Sequence, residues 1–458
     1  MIAAITAAVI MIMTFAVNVS AISFNPSFEL HSEAIYLMNL DTKDVIYEKN
    51  ADMEEMPAAL TNIMTAIVVL DKCKNIEEET IVANDDLYTE FDNYEFNDDL
   101  RYADIWDGDT FTVKDYLYAM MLTSSCEAAV ILADHFGNNS IEAFVGMMND
   151  KAKQIGCTNT VFKNPHGLYD PEQHTTARDM ALMTQYALTV PGFEDIACAM
   201  EYQLEPRNPG NAHDGGWNIS HSNVMMSAAN DYYLYGIKGI KTGNLQLGGR
   251  SIALMGTSDG NKFLLVMLNA PLVNSDGDMR YYHIIDAYTL MKWVFDNFSY
   301  TTLLSKNEEV AELKVSNSEG SGYVLLKPAK SVSTLWYNDV DTTSIQTIKT
   351  LAKDVSAPVN KGQKLGEIEL RLGNELIDVV DLVAADDVER SFIKFNFSMT
   401  LDFFSSRWFF IAVIITSVLS FIYIVICFWA YQERKRRSKS SFANKKIVKK
   451  LYRNNRRR

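Results

Sequence analysis

The chain has 458 residues, 48% of them hydrophobic and 22% charged, with a net charge of −16. That length provides for two or three domains and a large core, and the ordinary apolar content excludes a fibrous or disordered chain. The charge is unevenly placed: residues 433–458 hold 13 Lys/Arg and one acid, leaving 29 basic against 57 acidic residues elsewhere, so the chain faces two environments.

The first 21 residues, MIAAITAAVIMIMTFAVNVSA, form an apolar run ending in Val19-Ser20-Ala21. Small residues at −3 and −1 predict a signal peptide cleaved after Ala21; the missing basic start leaves a short retained anchor as the alternative. EAIYLMNLDTKDVIYEKN reads as two strands joined at an Asp-Thr-Lys-Asp turn. PAALTNIMTAIVVLDKC is helical, opened by Pro57, with Ile63, Ala66, Ile67 and Leu70 on one face. Residues 85–110 are acidic and aromatic without a period and predict a solvated surface loop. The spacing then predicts two helices separated by a break near Thr123 to Cys126, the second ending at Gly137. A further helix is capped by Ser140, and another covers TARDMALMTQYALTV. GIKGIKTGN and the two halves of GRSIALMGTSDGNKFLLVML read as strands, the latter joined at Ser258-Asp259-Gly260, and RYYHIIDAYTLMKWVFDNF as a closing helix.

Helices and strands in this order predict an α/β domain over 24–304. Short strands and turns predict a small all-β domain over 305–391. A juxtamembrane linker, 392–407, leads to a charge-free stretch at 408–431, long enough to cross a hydrocarbon core of about 30 Å. Trp408, Trp429 and Tyr431 stand at its ends, where aromatic rings favour the interface. The basic tail, 432–458, predicts a cytoplasmic end attracted to anionic lipid, with the acidic bulk outside; a nucleic-acid role is not expected. Cys427 lies in the span. Cys73, Cys126, Cys157 and Cys198 lack metal-ligand spacing and read as core thiols, with one bridge among them left open.

Three short stretches line up in chain order: Ala59-Leu60-Thr61-Asn62 at a helix start, Ser124-Ser125-Cys126 at a helix break, and Lys241-Thr242-Gly243 on a strand. This order resembles the S-x-x-K, S-x-N and K-T-G set of penicillin-binding proteins and serine β-lactamases. Together with NPHGLYDPEQHTTARDMALM and APVNKGQKLGEIELRLGNELIDVVDLV, it is similar to the D-alanyl-D-alanine carboxypeptidases of the S11 peptidase family over roughly residues 28–390. The resemblance implies a penicillin-binding-protein-like transpeptidase fold followed by the β-domain. It also implies a serine nucleophile activated by a lysine one turn on, a proton-shuttling S-x-N across the cleft, and a K-T-G edge strand receiving the terminal carboxylate of a D-Ala-D-Ala peptide. No metal or organic cofactor is implied.

The departures fall on the chemistry. Ala59 stands where the serine is expected, Asn62 where its lysine is, and Cys126 where an amide is; Ser124, Lys241, Thr242 and Gly243 remain. Loss of such a nucleophile costs on the order of 10⁶ in turnover. Thr61 is about 200° round the helix from Ala59 and faces away. A Cys126 thiolate beside Lys241 is an alternative nucleophile, attacking from the wrong side. The literal S-x-x-K at Ser391 to Lys394 lies in the juxtamembrane linker and reads as coincidence. Structural roles stand beside the functional ones: Ser124 as a cap of the following helix, Lys241 as solvated or paired to an acid, Arg178 with Asp179 as an ion pair, and His166 as a loop former.

Three functions stay open. The first is a non-catalytic protein that binds peptidoglycan stem peptides or a cell-wall synthesis partner. The second is a peptidase with displaced groups at Ser124 or Cys126. The third is a structural membrane protein acting through its β-domain and tail.

Overall fold

The computed structural model describes residues 26–208 and 216–454. The expected signal peptide, 1–21, therefore lies outside the described residues. Two compact units are present: residues up to 304 together with 332–348 and 369–379, and a second unit of 305–331, 349–368 and 380 onward.

The first unit begins with strands β1 (Ala34–Asn39) and β2 (Val45–Lys49). A 3-10 turn over Ala58–Leu60 feeds helix α1 (Thr61–Lys72). Short strands β3 (Thr80–Val82) and β4 (Thr110–Thr112) pair with each other. Helices α2 (Val113–Thr123), α3 (Cys126–Phe136), α4 (Ile141–Ile155), α5 (Ala177–Ala187) and α6 (Phe193–Ala197) follow. Strands β5 (Glu201–Leu204) and β6 (Trp217–Ser220) make a small ribbon. Then come β7 (Ile237–Leu245), β8 (Gly249–Ser258) and β9 (Asn261–Ala270), helix α7 (Tyr282–Asn297) and β10 (Phe298–Leu304).

The main sheet is antiparallel in the order β2-β1-β9-β8-β7. It is covered on both faces, and its alternation shows how. Tyr36, Met38, Ala253, Met255, Leu264, Val266 and Leu268 pack with helices α1 to α5. Their neighbours Ile35, Leu37, Ile252, Leu254, Phe263, Leu265 and Met267 pack with Ile284, Leu290, Met291 and Val294 of α7 on the other side. Successive side chains of a strand point to opposite faces, so a strand covered on both reads as nearly continuous hydrophobic sequence. Residues Thr61 to Val69 of α1 are all buried, and truncating one of its large apolar side chains to Ala would cost about 2–5 kcal/mol.

Local signals set the helix ends. Thr112 and Asp115 form a reciprocal capping box on α2, and Ser140 caps α4 through Ala143 N–H. The predicted break between two helices falls between Thr123 and Cys126. The 85–110 segment is mostly exposed, as expected of a surface loop, but it is locally ordered. It carries 3-10 turns at Asp85–Glu90 and Asn97–Asp99, and Phe91 packs into a cluster with Cys126, Val130 and Leu168. Phe91 anchors the segment because it buries apolar area against α3.

The C-terminal region carries β11 (Ala311–Lys314), β12 (Tyr323–Pro328), β13 (Val332–Tyr337), β14 (Ile345–Leu351), β15 (Lys364–Leu372) and β16 (Glu375–Ala384). Five of them form a sheet in the order β11-β12-β16-β15-β14. The segment read as a linker is helical, α8 (Phe392–Ser405), with Ser391 Oγ accepting Lys394 N–H at its start. The literal S-x-x-K is therefore a helix cap. Helix α9 (Arg407–Asn454) contains one stretch long and apolar enough to cross a membrane, Arg407–Arg437.

Candidate functional site

A cavity of about 890 Å³ opens at the β7 edge of the main sheet, lined by Ala59, Ser124, Cys126, Thr242, Gly243 and Arg250 among others. The three motif stretches thus meet in space as the resemblance implies. Ala59 lies in the 3-10 turn before α1, Ser124 between α2 and α3, and Lys241 to Gly243 on edge strand β7. Close backbone approach closes this corner. A Cβ on Gly243 would stand 2.7 Å from the Ala58 methyl, and one on Gly167 only 2.0 Å from the Ala58 carbonyl oxygen. Gly167 also has φ +85°, so both sterics and backbone conformation require glycine there.

At the serine position the cleft presents only the Ala59 methyl, which has no atom to attack a carbonyl. Asn62 is fully buried. Its Nδ2 donates to Pro165 O at 3.2 Å, while Oδ1 has no hydrogen-bond partner. Thr65 Oγ1 donates to the same carbonyl at 2.7 Å. The amide at the lysine position therefore ties α1 to the 165–167 loop and is not directed at Ser124 or Lys241. His166 extends that loop, with Nε2 at 2.8 Å from Glu90 Oε1 and Nδ1 accepting Leu168 N–H.

Ser124 is the left-handed residue (φ 64°, ψ 32°) that closes α2. It does not cap the following helix as expected: Ser125 does, accepting Ala128 N–H at 3.1 Å. A left-handed φ at a non-glycine residue carries strain, and here it turns the Ser124 hydroxyl toward β7. Lys241 Nζ donates to Ser124 Oγ at 2.5 Å and to Thr242 O at 3.2 Å. Lys241 is completely buried and has no acidic partner among the described residues, so neither the solvated nor the ion-paired reading of it holds. Burial without a counter-charge disfavours the ammonium and lowers its pKa to about 7. Thr242 Oγ1 lies 2.6 Å from Ser222 Oγ. His221, buried near the Lys241 charge, is pushed down to about 4 and stays neutral.

Cys126 is 2% exposed, and burial raises its thiol to about 12. The lowered pKa expected of a thiolate beside Lys241 is overturned, because desolvation penalises the anion more than the backbone contact and charge of Arg101 favour it. The described cysteines are free thiols. Arg178 and Asp179 do not pair with each other. Arg178 reaches Asp52 at 2.7 Å and Glu48 at 2.9 Å, whereas Asp179 Oδ2 accepts Asn159 N–H and the Thr160 hydroxyl, each at 2.8 Å.

Arg250 was not singled out from the sequence, nor were Tyr281 and His283. Strand pairing sets Arg250 opposite Asn244, and its Nε donates to Asn244 Oδ1 at 3.1 Å. Its guanidinium stacks over Tyr281 at 4.3 Å and also donates to Arg280 O. It is 7% exposed and lines the cavity without a carboxylate partner among the described residues. His283 is held down at about 3 by burial and by the Arg250 charge. The signal for Arg250 was its place just past a turn from K-T-G, which only the β7–β8 register turns into a neighbour. Asp99, in the acidic segment, is buried and accepts Gln246 N–H at 3.0 Å, fastening that segment beside the cleft. Among the described residues no group of His, Cys, Asp and Glu is arranged to hold a metal.

A mixed α/β domain with a cleft at its edge strand, followed by a β-rich region, is the architecture of penicillin-binding proteins. Residues 19–272 match the family described as D-alanyl-D-alanine carboxypeptidase, and residues 298–390 match the penicillin-binding protein 5 C-terminal domain. The chain belongs to the D-alanyl-D-alanine carboxypeptidase family. It is 26% identical over 391 residues to the Bacillus subtilis carboxypeptidase DacF, covering 84% of this chain and 94% of that protein. It is 27% identical over 368 residues to the Escherichia coli carboxypeptidase DacC, covering 78% and 84%. Among solved structures, DacD from Francisella tularensis superposes with a TM-score of 0.58 at 21% identity, over 80% of this chain and 96% of that one. Penicillin-binding protein 5 from Haemophilus influenzae does so with a TM-score of 0.55 at 22% identity, over 80% and 100%. At these identities the structural likeness establishes the fold.

Proposed function

We propose that this protein is a membrane-anchored, non-catalytic member of the carboxypeptidase family that binds the D-Ala-D-Ala end of peptidoglycan stem peptides at the cell surface. The observation that carries the proposal is the pairing of Ala59 with Asn62. The nucleophile position holds a methyl group, and the base position holds an amide already committed to Pro165 O. What remains suits binding. Arg250 is a buried cation lining the cleft without an acidic partner among the described residues, and a ligand carboxylate there would satisfy a charge the protein leaves unpaired and favour the ammonium of nearby Lys241. Helix α9 would hold the cleft to the outer face of the membrane, with its Lys/Arg-rich end in the cytoplasm. A cell-wall synthesis protein is the natural partner for such a scaffold.

The test uses the full chain in detergent with a fluorescent penicillin and a diacetyl-lysyl-D-Ala-D-Ala peptide. Saturable peptide binding without a covalent penicillin adduct by intact mass is the expected result. An adduct would overturn the proposal.

One observation favours a second reading, in which Ser124 acts as nucleophile and Lys241 as its base. Their contact is 2.5 Å, and a lysine near pKa 7 is substantially neutral at physiological pH. Peptide turnover abolished by Ser124→Ala would select this reading over the first.

A further inference from the structure

A second cavity of about 250 Å³ lies apart from the motif residues, at the acidic segment and the first turn of α3. Four carboxylates line it, those of Asp85, Asp104, Asp107 and Glu127, with no lysine or arginine among its walls. Three aromatic rings, Tyr88, Tyr102 and Trp106, complete it. Tyr102 and Trp106 are 51% and 56% exposed, so their faces are accessible from solvent.

Glu127 is the unusual member. It is 1% exposed. Its Oε1 accepts Ala103 N–H at 2.5 Å, but its Oε2 is buried with no hydrogen-bond partner. A buried carboxylate oxygen left unsatisfied is destabilising, a cost that a ligand donor would remove. The walls indicate which donor. Rings offer nothing to a hard metal ion, which needs six or more oxygens, and the described carboxylates are not gathered as a metal cluster. Aromatic faces beside carboxylates do suit an organic cation. The volume accommodates one head group on a short chain, being smaller than the roughly 300–1,000 Å³ of sites for drug-sized ligands.

We propose that this cavity binds a primary ammonium on a short alkyl chain, of the kind carried by a lysine side chain, with Glu127 Oε2 as its buried acceptor and Tyr102 and Trp106 as its walls. The inference goes beyond the reading of the cleft and does not depend on it. The charge state of Glu127 agrees with it. Burial raises the carboxyl to about 7 against the opposing pull of the Ser125 side chain and the Ala103, Glu127 and Ile105 amides. Its negative charge is felt by the neighbouring Tyr88, Tyr102 and Tyr116 phenols, which it helps to keep protonated. An incoming ammonium would supply a positive charge that the described lining residues do not.

The experiment is calorimetric titration of the full chain in detergent at pH 8 with n-butylammonium chloride, with n-butanol and calcium chloride as parallel probes. The expected result is saturable, millimolar binding of butylammonium alone. It should weaken at least tenfold in the near-isosteric Glu127→Gln variant and severalfold in Tyr102→Ala. Tyr102 is half exposed, so its variant keeps the measurement decisive if the buried substitution fails to fold. No saturation by roughly 100 mM, weaker than about −1.4 kcal/mol of binding, would overturn the proposal. Binding indifferent to both variants would also overturn it, as would calcium binding lost in Glu127→Gln, which would make the cavity a metal site.

Discussion

Asn62 Nδ2 and Pro165 O are hydrogen-bonded at 3.2 Å across 103 residues of sequence. The Asn62 side chain is a strut for the loop that carries His166 and Gly167. On the proposed reading positions 59 and 62 act together: a lysine at 62 would have no nucleophile to activate beside Ala59, and the amide serves the loop instead.

Restoring the pair should therefore require both changes. Ala59→Ser alone should give no penicillin adduct within an hour, because the hydroxyl has no base within one helical turn. The double variant Ala59→Ser, Asn62→Lys should acylate at least a hundredfold faster than the single variant. Intact-mass time courses check this, and equal rates would show that Lys241 already serves as the base.

Lys241 predicts a pH signature of stability. Its folded pKa of about 7 lies below the unfolded value of about 10.4. Between these values the unfolded chain binds more protons, so stability rises with pH by up to about 1.4 kcal/mol per unit, while below pH 7 the full penalty is present. His221, lowered to about 4, is neutral in both states through this window. Cys126, raised to about 12, stays protonated when folded but ionises at about 8.5 when unfolded, and so opposes the rise above that pH. The Lys241 contribution is therefore read as the difference between two proteins. Lys241→Met should lose this rise and be the more stable protein at pH 6. Urea unfolding of the two proteins at pH 6, 8 and 10 gives the comparison.

Cys126 should resist alkylation. With its thiol raised to about 12 and the residue 2% exposed, iodoacetamide at pH 8 should leave it unmodified in the folded protein and label it only after denaturation. Native labelling, located by peptide mapping, would mean the cleft opens.

Gly167→Ala should be among the most damaging small substitutions. Its Cβ would stand 2.0 Å from Ala58 O at a φ of +85°, and neither backbone can yield cheaply. A loss on the order of 2–4 kcal/mol is expected, together with loss of peptide binding, because Ala58 adjoins Ala59 in the cleft wall. Thermal melts alongside peptide titration check both, and a variant within about 0.5 kcal/mol of the parent would show that the corner is not rigid.

Much of the architecture was legible in local sequence. The helix break before Cys126, the Ser140 cap, the β8–β9 turn and the charge-free stretch at 408–431 each follow from residues within one or two turns of the feature they set. The solvated character of the acidic segment was legible in its charge density, but its anchor was not, because the packing of Phe91 onto Cys126, Val130 and Leu168 depends on partners far along the chain. Ser124 misled for a related reason. Either of two adjacent serines could cap α3, and the left-handed turn that aims Ser124 at β7 hands that role to Ser125.

The sequence by itself determined which atoms stand at the cleft: a methyl at 59, an amide at 62, a thiol at 126, an ammonium at 241. Those identities are covalent and need no fold. It also determined the split between an acidic body and a basic tail across an apolar stretch, because hydropathy and charge add up along the chain. Only the tertiary structure decided the state of those groups. Lys241 meets Ser124 across 117 residues, and Arg250 meets Asn244 only through the β7–β8 register. Hydrogen-bond partners and solvent exclusion set protonation and charge balance, and both arise from contacts between segments that local sequence does not specify.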